Sequence, residues 1–388
     1  MSKSRITAIA LSVTALATSA LSGCSSGSDS ASTGGGSGSG NQIVLGFTAT
    51  LTGDFASYGV NVRNGAQLAI DDINRAGGLD GKKLRLKIED DQGKPSNGPV
   101  VAQKLCDDGS VKAVLGYSFS SVALASIPVV NQCKLPVVAS SVTSPKLSGI
   151  SPYFFRNVPT DAAQGLQYGD YAASTLGLKK IAVLYQQDDY GSGAATAFIK
   201  GVEASGGEVT YKAAYQVGTT AFQSQIASAM GSGADALYVG GFYTEAAKIA
   251  QQARAAGFEG QLLGIDGSLA NELMKLGGPA VEGMMAYGTF VPSIQTATVQ
   301  KFVAAYRHEF GDEPTSAAAL GYDALQLVAR AIKDGGDTRA GIEAALPKTR
   351  LTDGITGANS FDSKHDRIAK IYFVKVSHGQ FIQAQGES

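Results

Sequence analysis

An α/β fold made of two runs of alternating strand and helix is what this sequence predicts, and three observations carry the prediction. Short apolar runs with the length of buried parallel strands recur: Ile43–Phe47, Leu84–Glu89, Ala113–Leu115 and Pro136–Ala139, then Ile181–Tyr185, Glu208–Tyr215, Ala236–Val239 and Gln261–Ile265. Segments with helical spacing of apolar residues separate them, as parallel strands require. Finally, the chain has 388 residues. With its leader removed, that leaves roughly 350, which size priors divide into two lobes.

The first run opens at Ile43–Phe47 and the loop Thr48–Ser57. Val62, Ala66, Ala69, Ile70 and Ile73 then mark one face of a helix, which Gly77-Gly78 stops. Leu84–Glu89 ends in Glu89-Asp90-Asp91, three acids that could hold a metal but are more simply solvated strand-end carboxylates. Pro99–Leu105 is helical and leads to Cys106. Val122–Val130 can form the next crossover helix, which Pro128 must end or kink. The second run begins near Asp161, with a helix through Leu166 and Tyr171. The loop Gln186–Tyr190 enters a helix at Gly191, and a further helix covers Phe222–Met230. Gly240-Gly241-Phe242-Tyr243 leads into the helix Thr244–Ala256, and the strand Gln261–Ile265 ends at Asp266-Gly267. Met284–Tyr287 is another short strand. Val299–Leu346 is helical, with Leu320, Ala324, Leu327, Val328 and Ala331 as its core face. The chain closes with a hairpin, Ile371–Val376 and Gln380–Gln383 about the turn Ser377-His378-Gly379.

Before this body lies a leader. Lys3 and Arg5 precede the apolar run Ile6–Ala17, which is too short to span a bilayer and has the layout of a signal peptide. Leu21-Ser22-Gly23-Cys24 then matches the bacterial lipobox, where cleavage before the cysteine is coupled to its lipidation. Ser25–Gly40 is almost wholly Ser and Gly, a flexible tether spanning roughly 20–24 Å on average.

Two strand ends in the first run attract attention. Ser118, Ser120 and Ser121 follow one, and Ser140, Ser141, Thr143 and Ser144 follow the next. Hydroxyl-rich loops at the carboxyl ends of parallel strands line the ligand crevice of an open sheet. Where they feed a helix N-terminus they suit a carboxylate or phosphate. The plainer alternative is a pair of helix N-caps.

Other chemistry is missing. Net charge is −1, which argues against a general nucleic-acid binder. The three histidines, His308, His365 and His378, stand apart from any nucleophile motif, and neither Gly-x-Ser-x-Gly nor a Walker A sequence occurs. Gly191-Ser192-Gly193 opens a helix after a strand, but Thr196 occupies the third glycine position of a dinucleotide fingerprint. No catalytic residue, cofactor or metal is expected. Once Cys24 is lipidated, Cys106 and Cys133 remain, each just before a strand of the same sheet. Outside the cytoplasm a disulfide between them is expected, worth about 3–4 kcal/mol in the chain-entropy account; two buried thiols are the alternative.

From Ile43 onward the chain resembles the type I periplasmic binding proteins of the leucine/isoleucine/valine receptor family, the solute receptors of ABC importers. The resemblance rests on Leu51–Leu84 (LTGDFASYGVNVRNGAQLAIDDINRAGGLDGKKL), Leu135–Pro145 (LPVVASSVTSP), Ile181–Gly193 (IAVLYQQDDYGSG) and Val239–Phe258 (VGGFYTEAAKIAQQARAAGF), in that order and spacing. It implies two doubly wound lobes joined by a three-crossing hinge and closing on a ligand. Ser120 and Thr143 then fall where hydroxyls hold the ligand carboxylate, and Ser141 where a backbone group joins them. Asp266 aligns with the acid that meets the α-ammonium; the leucine-type receptors carry Glu there. Tyr58, Tyr190, Phe242 and Tyr243 fall at positions lining the side-chain pocket. The chemistry agrees: a buried zwitterion needs both charges met, or desolvation costs several kcal/mol.

On that resemblance the chain is a monomeric extracytoplasmic lipoprotein, held to a membrane through Cys24. It captures an amino acid, branched-chain or otherwise aliphatic, and delivers it to ABC permease subunits. Its expected parts are a signal peptide (1–23), anchor and tether (24–40), one lobe from 41–160 and 290–370, and another from 161–289 and 371–388. Alternatives are a receptor of the same fold for amides, urea or small organic acids, or a sensory ligand-binding module. A nucleotide-dependent enzyme is opposed by the missing phosphate motifs.

Overall fold

The computed structural model describes residues 41–384, so the expected signal peptide, Cys24 and the whole tether lie outside the described residues. The first run is β1 (Gln42–Ala49), α1 (Ala56–Arg75), β2 (Lys83–Asp90), α2 (Gly98–Asp107), β3 (Val111–Gly116), α3 (Ser120–Cys133), β4 (Val137–Ala139) and β5 (Phe154–Arg156). Its sheet is parallel throughout, in the order β2-β1-β3-β4-β5. Apart from its first residue, β1 is buried along its whole length, as a strand covered on both faces must be.

The second run is α4 (Asp161–Asp170), β6 (Lys180–Gln186), α5 (Asp189–Ala204), β7 (Glu208–Tyr215), α6 (Gln223–Gly231), β8 (Ala236–Gly240), α7 (Tyr243–Ala255), β9 (Gln261–Leu263), α8 (Asn271–Gly277) and β10 (Met285–Gly288). The helices α9 (Ala297–Phe310), α10 (Ser316–Gly335) and α11 (Arg339–Ala345) follow. Next come the short pair β11 (Arg350–Leu351) and β12 (Asn359–Ser360), then the hairpin β13 (Tyr372–Ser377) and β14 (Gln380–Gln383). The second sheet runs β14-β13-β10-β9-β8-β6-β7, parallel except where β13 and β14 join antiparallel.

Each sheet reverses its strand order once, between β1 and β3 in the first and between β6 and β8 in the second. Loops leaving such a switch point diverge and open a crevice at the carboxyl ends of the strands. The chain passes between the two halves after β5, after β10 and before β13. The second and third of these passages bracket α10, which packs on α1 and on β3 of the first sheet. The α1–α10 contact is close: a Cβ on Gly65 would lie 1.8 Å from the Ala318 carbonyl oxygen. Gly65→Ala should therefore force the helices apart and cost about 2–3 kcal/mol, read as a lower denaturant midpoint at unchanged slope.

Three local expectations need correction. The α3 helix runs through Pro128 to Cys133 rather than ending there; its N-terminal half is held by packing and by the Ser126 hydroxyl on the Val122 carbonyl. The single helical stretch expected over Val299–Leu346 is three helices; the first two end at Gly311 (φ 69°) and Gly336 (φ 84°), both in conformations that favour glycine. The strand expected to reach Ile265 stops at Leu263, and Asp266 begins a short 3-10 turn, Asp266–Ser268.

Cys106 at the end of α2 and Cys133 at the end of α3 form a disulfide, with Cα atoms 6.0 Å apart across a separation of 27 residues. The acids after β2 are consumed locally. Asp90 accepts from the Leu51 and Gln92 amides, Asp91 from the Thr48 and Thr50 hydroxyls and the Gly93 amide, and Glu89 pairs with Lys104.

Candidate ligand-binding site

The expected site residues ride on the segments that follow β1, β3 and β4 of the first sheet and β6, β8 and β9 of the second. Ser120 is the first residue of α3, Ser141 and Thr143 follow β4, Tyr190 lies in the first turn of α5, and Phe242 precedes α7. Ser120, Ser141, Thr143, Tyr58, Tyr190, Phe242, Tyr243 and Asp266 are all buried.

On the first-sheet side, the two hydroxyl loops meet. The Ser144 amide donates to the Ser120 hydroxyl at 3.3 Å, leaving the Ser120 proton free to donate. Ser118 accepts from the Thr50 amide, and no side chain caps the start of α3. The plain N-cap alternative therefore fails for the first loop; in the second, Ser144 caps only the short turn Pro145–Leu147. The Ser140 hydroxyl is buried without a hydrogen-bond partner, and those of Ser141 and Thr143 are buried with only Tyr58 and Asp161 beside them, an arrangement that costs free energy unless a further acceptor arrives.

Arg156 holds this loop in shape. Its guanidinium donates to the carbonyls of Val142 (3.3 Å) and Ser144 (2.8 Å), to the Ser148 hydroxyl, and to Asp366 at 2.6 Å. It sits on β5, a strand that the sequence pattern did not reveal. Three residues are too few to show a period, and a charged side chain disguises a buried position.

On the second-sheet side stand two carboxylates. Asp266 Oδ1 accepts from the Tyr190 hydroxyl at 2.6 Å and from the Gly267 amide at 3.0 Å. Burial pushes the Asp266 carboxyl up to about 6. Asp161, the first residue of α4, is wholly buried, with the Thr143 hydroxyl as the polar group beside its carboxylate and the Arg156 charge acting on it from further off. Burial, and after it the charge of Asp266, raise its carboxyl well above the ordinary range. Its amide donates to the Thr143 carbonyl at 2.8 Å, which fixes it beside the hydroxyl loop. Two buried carboxylates that repel one another form a site for a cation.

Sequence reasoning missed Asp161 because Thr160-Asp161 reads as an ordinary cap and first-turn acid; Thr160 does cap Ala163. The available signal was the stripe Asp161, Gln164 and Tyr168, spaced on one helical face and buried where apolar residues belong.

Aromatic rings complete the arrangement. Tyr190 and Tyr58 pack on Phe242 at centroid distances of 5.0 and 5.7 Å. Tyr243 packs against Phe55 at 6.4 Å rather than on Phe242, and its hydroxyl donates to the Asp54 carbonyl at 2.9 Å. Ser57 bonds Glu272 and Lys146 pairs with Asp189, so these polar contacts, with that of Tyr243, join the two halves. A separate cavity of about 640 Å3 lies on the flank of this seam, among Pro145, Lys146, Leu166, Asp188 and Lys200. It includes none of the residues expected to hold ligand and reaches only the back of Asp161, past Gly193.

Comparison with known proteins agrees with this architecture. Residues 42–380 match the family described as periplasmic binding protein. Leu/Ile/Val-binding protein homolog 1 of Brucella suis is 30% identical over 327 residues, covering 84% of this chain and 87% of its own length. Among solved structures, the leucine-binding protein LivK of Thermotoga maritima has a TM-score of 0.83 at 30% identity, covering 88% of this chain and 97% of its own. LivJ of Streptococcus pneumoniae, a branched-chain amino acid transporter substrate-binding protein in complex with isoleucine, has a TM-score of 0.83 at 31% identity, with the same coverage. A chain of two doubly wound lobes, matched along nearly all of its described length, belongs to the periplasmic binding protein family, whose members are extracytoplasmic solute-binding subunits of ABC transporters.

Proposed function

We propose that this protein captures an aliphatic amino acid between two closing lobes and presents it to an ABC permease. The observation that carries the reading is the pair Asp161 and Asp266, buried together beside the buried hydroxyls of Ser141 and Thr143. An α-ammonium supplies the positive charge that both carboxylates need. An α-carboxylate accepts from Ser120, Ser141, Thr143 and the start of α3. The relatives named for leucine, isoleucine and valine support the same class of ligand. Two acids in the site, with the nearby Arg156 already paired with Asp366, disfavour a purely acidic ligand.

The lobes are assigned as 41–160 with 290–370, and 161–289 with 371–388. The carboxylate-binding hydroxyls then belong to the first lobe, and Asp161, Tyr190, Phe242 and Asp266 to the second. Neither lobe alone meets both charges, so ligand binds the closed form better and draws the population toward it. The contacts Tyr243–Asp54, Ser57–Glu272 and Lys146–Asp189 support closure as the binding-competent arrangement.

A thermal-shift screen of the twenty amino acids with small amides and urea tests the ligand class. A true ligand at 100 times its Kd stabilises by about 2.7 kcal/mol. Stabilisation by an amino acid is the expected result; a response to amides or urea alone would replace the reading.

The receptor works as a monomer, tethered outside the cytoplasm by lipid on Cys24 of the Leu-Ser-Gly-Cys sequence. Cys24→Ser should release the chain from the membrane fraction or block its maturation, read by fractionation and intact mass. Retention of a normally processed Cys24→Ser protein would remove the anchor.

A further inference from the structure

We infer that Phe119 sets an upper limit on the size of the ligand side chain, so that the site takes alanine-sized amino acids and excludes leucine-sized ones; this rests on the amino-acid reading above. The two charged ends of the ligand are met by the hydroxyl loops and by the acids. Its side chain is left with the aromatic wall, and that wall is closed ring on ring. Phe242 touches Tyr190 of its own lobe, and from the other lobe Tyr58 and Phe119 lie on it, Phe119 at 4.5 Å between centroids, the shortest of its ring contacts. Nothing fits between rings at that distance. Phe119 is 4% exposed and Phe242 3%, so neither ring has a solvent face to turn toward.

Phe119 is also held from behind. Phe55 packs edge-on against it at 5.5 Å, and against Phe242 at the same distance. A Cβ on Gly93 would lie 3.2 Å from Phe119 Cε2 and 3.1 Å from Thr50 Oγ1, so backbone closes the remaining side. The ring directly precedes Ser120, whose hydroxyl belongs to the carboxylate cage. Ring and cage are therefore fixed to one another, and a ligand seated by its carboxylate cannot slide away from the ring. Leucine carries three more carbons than alanine, and each must displace part of a packed cluster. Misfits of one methylene already separate ligands by roughly 10–200-fold.

Isothermal titration of the full chain with alanine and with leucine tests this, for wild type, Phe119→Ala and Phe119→Leu. Wild type is expected to bind alanine at least about tenfold more tightly than leucine. Phe119→Ala should strengthen leucine binding at least tenfold and weaken alanine binding a few-fold, reversing the order. Circular dichroism establishes that the variant is folded. Should Phe119→Ala fail to fold, Phe119→Leu must show the same movement in the ratio to a smaller degree. Wild type binding leucine as tightly as alanine, or a folded variant with an unchanged ratio, would overturn the size limit while leaving the amino-acid reading intact. Binding of no amino acid at all would overturn both.

Discussion

Asp266→Ala should lower affinity for the amino-acid ligand by about 2–5 kcal/mol, because it leaves a buried ammonium facing an apolar wall. Asp161→Asn should cost a comparable amount, since the two acids share one cation. The two losses should not add: both acids face the same cation, and removing Asp266 also relieves the repulsion that raises Asp161. Titration calorimetry on the two single variants and the double variant reads all three values. Full affinity in Asp161→Asn would remove that residue from the site and leave its burial unexplained.

Affinity should also depend on pH, with a sign fixed by burial. Asp266 is pushed up from 3.8 to about 6 without a cation beside it, and Asp161 is raised as well. An ammonium favours the ionised carboxylates, so binding expels protons. As pH falls below about 6 the protons compete, and Kd should rise by roughly tenfold per unit.

The stability of the ligand-free protein moves the opposite way. Between 3.8 and about 6 the folded chain holds a proton on Asp266 that the unfolded chain has lost. The free protein therefore gains stability as pH falls through that window, and the penalty is fully present above it. Asp266→Asn should accordingly stabilise the free protein at neutral pH by up to about 3 kcal/mol while weakening binding. Thermal melts at pH 7 and pH 5, with and without ligand, separate the two effects. A ligand-free protein that lost stability between pH 7 and pH 5 would contradict the raised Asp266.

Much of this architecture is written in local pattern. Parallel strands buried on both faces are continuous apolar runs, so β1, β3, β6 and β8 stand out, and the segments that follow them, with those after β4 and β9, hold the candidate site residues. Ser120, Ser141 and Thr143 were legible as hydroxyls at strand ends, and Asp266 as an acid before glycine. What escaped depends on tertiary contact. Asp161 resembles a helix-start acid until α4 is packed against the second sheet. Phe55 and Phe119 read as isolated aromatics until closure brings them to Phe242. Arg156, the most voluminous of the fully buried side chains, occupies a strand too short for periodicity to reveal. The boundaries at Gly311 and Gly336 required their positive φ to be recognised within a long apolar-periodic stretch.

The central claim is that one molecule must carry both an ammonium and a carboxylate to engage the two lobes. Calorimetric titration of alanine against propionate, its counterpart without the amine, tests it most directly. Alanine should bind with net proton release, and propionate should bind at least about a hundredfold more weakly, because it leaves Asp161 and Asp266 buried without a cation. Propionate binding as tightly as alanine would contradict the account.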